Sequence, residues 1–179
     1  MSAIDLFGQL HGIDAATLTP LQRILLITDG TLTEILEAYY FERVELVKLS
    51  ERLMTRTEFG GSLAMDENER VMERKINLRG ARSGTRYVYA ESLILVDRLD
   101  PSFQMELLET NIPLGRLWRG HRLETFKEMA SATCRPAREL AIHLGCAEET
   151  PVLGRVYDVF SARRHVMRIS EYFCATEQN

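Results

Sequence analysis

Apolar and polar positions alternate most clearly between Arg70 and Val96, where RVMERKINLRGARSGTRYVYAESLILV predicts two strands and a turn. In the first arm Met72, Ile76 and Leu78 point one way, and Glu73, Lys75 and Asn77 the other. The turn is Arg79–Gly84, with Gly80 and Gly84 free to take positive φ. Upstream the period becomes helical. Thr19 is placed to cap a helix that starts at Pro20, carries Leu21, Ile24 and Leu25 on one side, and stops at Asp29-Gly30. Thr31-Leu32-Thr33-Glu34 has the form of a capping box for a second helix running to about Tyr39. The pattern also predicts a short leading helix over 3–10, a first strand over 43–53, and a mobile surface loop over 54–69, where periodicity is lost.

Downstream, Asp100-Pro101 opens a helix to about Glu109, and Thr110–Gly115 reads as a turn. Residues 116–128 fit either period and are assigned here as strand. Arg135-Pro136 opens a further helix, with Ala137, Leu140, Ala141 and Leu144 as its stripe and Gly145 as its stop. Two strands, about 152–160 and 165–174, close the chain.

Two charges break this pattern. Arg74 falls between Met72 and Ile76 on the apolar face of its strand, and Glu171 shares a face with Met167, Ile169 and Phe173. A guanidinium keeps its proton, so burying it without an anion is costly. A buried glutamate either pairs or stays protonated. Two readings follow: the two residues pair with each other as a structural bridge, or they face a ligand across a cavity.

Composition narrows the function classes. A chain of 179 residues with 45% hydrophobic and 27% charged content fits one soluble globular domain. Residues 1–20 then form a lead-in. The net charge of −4 argues against a general nucleic-acid binder. All but three of the 22 basic residues are arginines, leaving many planar forks for carboxylate recognition. Arg79, Arg82 and Arg86 at the hairpin turn read as a solvated basic tip. Cys134, Cys146 and Cys174 share no CxxC spacing and read as reduced thiols of a cytoplasmic protein. The four histidines have no ligand spacing, so no metal site is expected. Neither a signal peptide nor a membrane-length apolar run is expected.

The blocks RILLITDGTLTEIL (23–36), RVMERKINLRG (70–80), YAESLILVDRL (89–99), TNIPLGRL (110–117), LETFKE (123–128) and VMRISEYF (166–173) resemble, in order and spacing, the chorismate pyruvate-lyase family. The likeness is nearest to its shorter, divergent branch, which makes 4-hydroxybenzoate. It implies an α+β fold: a single antiparallel β-sheet with helices packed on it and an internal ligand cavity under helical flaps. Effector-binding (UTRA) domains of bacterial transcription regulators share that fold. It further implies a cofactor-free elimination of pyruvate from chorismate. By the same resemblance Arg74 holds the ring carboxylate and Glu171 meets the hydroxyl end, as the catalytic pair. Leu114 with Gly115 supplies a turn whose backbone amide reaches the ligand, and Leu32 closes over the ring. Glu91 stands where the better-studied branch has an arginine, which leaves the enolpyruvyl carboxylate without its usual partner. Arg155, beside Tyr157 and Val159, is the substitute candidate. The competing class is a non-catalytic UTRA-like binding protein for a small aromatic or carboxylic acid. Such modules normally follow a DNA-binding domain, and only about twenty residues precede the first matched block.

Overall fold

The computed structural model describes residues 13–61, 63–110, 112, 114–122 and 124–175. The leading helix expected over 3–10 therefore lies outside the described residues, as do Asn111 and Pro113 of the turn expected over 110–115, whose last two residues, Leu114 and Gly115, open a helix instead. In chain order the elements are α1 (Pro20–Ile27), α2 (Leu32–Tyr40), β1 (Val44–Thr55), α3 (Arg56–Phe59), β2 (Arg70–Gly80), β3 (Arg86–Leu95), α4 (Pro101–Glu109), α5 (Leu114–Gly120), β4 (Thr125–Pro136), α6 (Ala141–Leu144), β5 (Pro151–Ser161) and β6 (Arg164–Cys174). The strands form one six-stranded sheet in the order β1-β2-β3-β6-β5-β4. Every neighbouring pair is antiparallel.

Helices cover one face of this sheet from two ends. At one end, Leu21, Leu25 and Leu26 of α1 and Leu32 and Leu36 of α2 pack on Leu78, Val88, Ala90, Leu153 and Phe173. Thr19 caps α1 as its sequence predicts: its Oγ1 accepts from Gln22 N at 3.3 Å, and Gln22 Oε1 accepts from Thr19 N at 2.8 Å. At the other end, Phe103 and Leu107 of α4 and Leu117 of α5 pack on Met72, Ile94, Val159 and Met167. Asp100 caps α4 by accepting from Ser102 N at 2.9 Å. The two helical pairs leave the middle of this face open.

The opposite face is covered more lightly. The α6 turn sets Leu140, Ala141 and Leu144 against Tyr89 and Val152. Leu63 and Met65 pack with Met54 on Val71 and Leu95. The expectation of a surface loop over 54–69 is thus corrected: β1 runs on to Thr55, a short helix follows, and Leu63 and Met65 are buried. Three further corrections concern the local pattern. The strand expected over 116–128 is the helix α5 followed by the start of β4. Leu117, 2% exposed, meets Phe103 and Leu107 of α4, and this tertiary contact settles a period that the isolated segment leaves undecided. Arg135-Pro136 ends β4 instead of opening a helix, and helical turns begin only at Arg138. The capping box expected at Thr31 is absent, because its side chain makes no cap hydrogen bond. Glu34 instead pairs with Arg119 of α5, whose Nη2 donates to Glu34 Oε2 at 2.6 Å, a stronger charge-assisted contact.

Candidate active site

The open middle of the helix-covered face is a cavity of about 490 Å³, within the range of small-molecule sites. Its floor is built by strand alternation, because residues two apart share a face. β2 contributes Arg74, Ile76 and Leu78; β3 contributes Ala90 and Ser92; β6 contributes Ile169 and Glu171; β5 contributes Tyr157; β4 contributes Thr125 and Lys127. Asp29 to Thr33, at the start of α2, and Leu114, Gly115 and Trp118 of α5 form the rim. The two rims touch. A Cβ on Gly115 would lie 2.7 Å from Thr31 Cγ2. Arg116 pairs with Glu37 at 2.7 Å, and Arg119 with Glu34. α2 and α5 therefore close over the sheet together.

Arg74 is 1% exposed. Among the described residues its Nε, Nη1 and Nη2 have no hydrogen-bond partner. Glu51 sits directly opposite on β1 and brings Oε2 to 3.5 Å from Arg74 Nε, an ion pair without a hydrogen bond. Burial pushes the guanidinium below the ordinary arginine value, and Glu51 opposes this only in part. Glu171 is 8% exposed and sits opposite Arg155 on β5. Arg155 Nε donates to Glu171 Oε2 at 2.6 Å, and the Tyr157 hydroxyl donates to Oε1 at 3.0 Å. Burial first, and then the Glu171 charge, push the Tyr157 hydroxyl well above the usual phenol range. Arg155 also donates from Nη1 to the Thr28 carbonyl at 2.8 Å. It lies behind Glu171 and is not part of the cavity wall.

The structure thus brings Arg74, Glu171, Leu32, Leu114 and Gly115 to one cavity. The two charges do not bridge each other: Arg74 is matched with Glu51, and Glu171 with Arg155. Glu91 points to the other face, where it accepts from the Tyr89 hydroxyl at 2.6 Å. Sequence reasoning missed Lys127. Its Nζ donates to the Asp29 carbonyl at 2.6 Å and lies 5.3 Å from the ring centroids of both Trp118 and Tyr157. The signal was available, since Lys127 is one of only three lysines and stands inside the LETFKE block. The ambiguous period of 116–128 concealed the face it occupies.

A sheet with helical flaps over a largely apolar cavity that holds a few charged side chains defines a small-molecule-binding α+β protein of UTRA-like fold. The effector domain of PhnF from Mycobacterium smegmatis has this fold, with a TM-score of 0.61 at 18% identity over 83% of this chain and 91% of that chain. Sequence carries the assignment further. Residues 26–178 match the family model described as Chorismate pyruvate-lyase Rv2949c-like. The chorismate pyruvate-lyase of Mycobacterium tuberculosis (strain ATCC 25618 / H37Rv) is 32% identical over 158 residues, covering 84% of this chain and 78% of the relative. That of Mycobacterium leprae (strain TN) is 30% identical over 152 residues, covering 84% and 72%. The chain belongs to the chorismate pyruvate-lyase family and is a lyase of that family. No helix among the described residues is long and apolar enough to cross a membrane.

Proposed function

We propose that this protein converts chorismate to 4-hydroxybenzoate and pyruvate. The observation that carries the reading is Arg74: a buried guanidinium in a cavity wall, with three nitrogens lacking hydrogen-bond partners. Such a group calls for a planar anion, and the ring carboxylate of chorismate answers it with two parallel charge-assisted hydrogen bonds. With that carboxylate seated on Arg74, the ring lies over Ala90 and Ile169, and its hydroxyl meets Glu171. Arg155 and Tyr157 hold the Glu171 carboxylate in place, so Arg155 acts through Glu171 and not on the substrate. Leu32, Leu114 and Gly115 close over the ring.

The reaction breaks the ether C–O bond and a neighbouring ring C–H bond. It yields an aromatic acid, with pyruvate carrying the other fragment. Aromatisation supplies the driving force, and the reaction is redox-neutral, so the chemistry calls for no cofactor. What the protein supplies is orientation, charge complementarity and a site screened from water. A cytoplasmic setting is supported by three cysteines that form no disulfide among the described residues.

The test is direct: incubate purified protein with chorismate, with and without a chelator, and follow 4-hydroxybenzoate and pyruvate together. Stoichiometric formation of both, unchanged by the chelator, is expected. Tight binding of 4-hydroxybenzoate with no pyruvate formed would instead favour a non-catalytic binding protein.

A further inference from the structure

We propose that Lys127 binds the second carboxylate of the substrate, the one on the enolpyruvyl arm. This rests on the chorismate reading above and names the group that completes it. A dianion needs two cations, and Arg74 can take only one carboxylate in a bidentate grip. The other basic groups near the cavity are committed or too wet. Arg155 is bound to Glu171 and to the Thr28 carbonyl behind the wall. Arg119 is paired with Glu34 and its side chain is 64% exposed. Arg122 lines the mouth but is exposed, where solvent and salt weaken any ion pair.

Lys127 differs on each point. It lines the cavity, and its charge lies between the rings of Trp118 and Tyr157. Its hydrogen bonds go to two neutral acceptors, the carbonyls of Asp29 at 2.6 Å and Gly30 at 3.4 Å. A carboxylate is a stronger acceptor for an ammonium than either carbonyl. Burial holds this ammonium below the ordinary lysine value, opposed by the Glu171 and Asp29 carboxylates. An anion arriving beside it therefore relieves an existing cost.

The placement suits the substrate. In the strand order β1-β2-β3-β6-β5-β4, Arg74 on β2 and Lys127 on β4 flank three intervening strands. Their backbones are roughly 19 Å apart at ordinary strand spacing. Both side chains rise on the cavity face, with Ser92, Ile169, Glu171 and Tyr157 between them. That puts one cation at each end of a floor and the hydroxyl acceptor in the middle. Its carbonyl contacts also tie Lys127 to residues 29 and 30, the joint between α1 and α2. The arm carboxylate would be bound at the hinge of the flap that covers it.

The experiment compares two ligands that differ in this carboxylate. Chorismate carries both carboxylates and 4-hydroxybenzoate only the ring one. Lys127→Met should lower kcat/KM for chorismate by roughly 10–100-fold, the weight of one lost charge-assisted contact. Its affinity for 4-hydroxybenzoate, measured by calorimetry, should stay within about threefold of wild type. Lys127→Arg keeps the cation and should recover most of the loss. The proposal is overturned by unchanged chorismate kinetics in Lys127→Met, by equal losses for both ligands, or by no recovery in Lys127→Arg. A wild-type protein that forms no pyruvate would sink the lyase reading alone. The same comparison then runs as equilibrium titrations with chorismate and 4-hydroxybenzoate, with the same outcomes deciding.

Discussion

Replacing Arg74 with methionine removes a charge while keeping most of the volume, so it separates recognition from stability. The guanidinium is 1% exposed with three unpartnered nitrogens, and its counter-ion Glu51 stands at 3.5 Å without a hydrogen bond. Glu51 is less dependent on the pair than a buried partner would be. Its side chain is 20% exposed, and Lys48 Nζ lies 3.2 Å from the same oxygen. Losing Arg74 therefore leaves Lys48 as the counter-charge of Glu51, whose Oε2 is itself buried and accepts no hydrogen bond among the described residues. Exchanging a poorly satisfied buried charge for an apolar side chain is neutral or stabilising, by up to about 1–4 kcal/mol in comparable cases. Binding should change in the opposite sense. A hydrogen bond to a charged group is worth about 1.5–3 kcal/mol, and two shared by one carboxylate are not additive. A loss of about 3 kcal/mol, roughly 150-fold in affinity, is the expected result. Urea unfolding and calorimetric titration with 4-hydroxybenzoate measure the two quantities. If Arg74 were a structural ion-pair residue, removing it would cost about 3–5 kcal/mol of stability and leave affinity intact. That pair of results, or unchanged affinity alone, would refute the reasoning.

Three further outcomes are expected. Glu171→Gln keeps size and hydrogen bonding but cannot exchange a proton; if Glu171 moves one, single-turnover conversion falls by roughly 10²–10⁴-fold while 4-hydroxybenzoate affinity changes little. Equal single-turnover rates would leave Glu171 a positioning role only. Gly115→Ala drives a Cβ to 2.7 Å from Thr31 Cγ2 and should push α5 from α2, costing about 1–3 kcal/mol and weakening ligand binding. Thr31→Ser, which removes that methyl, should restore both, and no rescue would mean the flaps do not meet there. Glu42 is held at a pKa of about 2 against an ordinary 4.5, chiefly by the Tyr87 hydroxyl and then by the Ser83 amide. A depressed carboxylate stabilises fully above pH 4.5, and that contribution is lost as pH falls from 4.5 through about 2. Glu42→Gln should flatten the thermal stability profile across this window, and an unchanged slope would reject the linkage.

Much of this protein was determined by local pattern. Period-2 alternation placed β2 and β6, and it exposed Arg74 and Glu171 as charges on apolar faces. Thr19-Pro20 and Asp100-Pro101 marked two helix starts through chemistry that operates within one turn. The order of the sequence blocks was enough to place the chain in its family, which the match over 26–178 bears out. The partners of the two charges were another matter, because they depend on register across strands. β1 shifts register between Lys48 and Ser50, and only that shift sets Glu51 opposite Arg74. β5 shifts between Val159 and Phe160, which brings Arg155, Tyr157 and Val159 onto the face of Glu171. Without it the hairpin parity would turn those three side chains to the opposite face. Each bulge is a single inserted residue whose cost is set by the packing on both sides, and no neighbour in sequence reports that packing. The same holds for Lys127: its face is fixed by pairing with Val159 across the sheet, and its carbonyl partners lie 97 and 98 residues upstream. Local chemistry therefore selected five of the six strands, β4 excepted, and marked the anomalous charges. Long-range register, settled only when the whole sheet packs under its helices, decided which of them meet in the cavity.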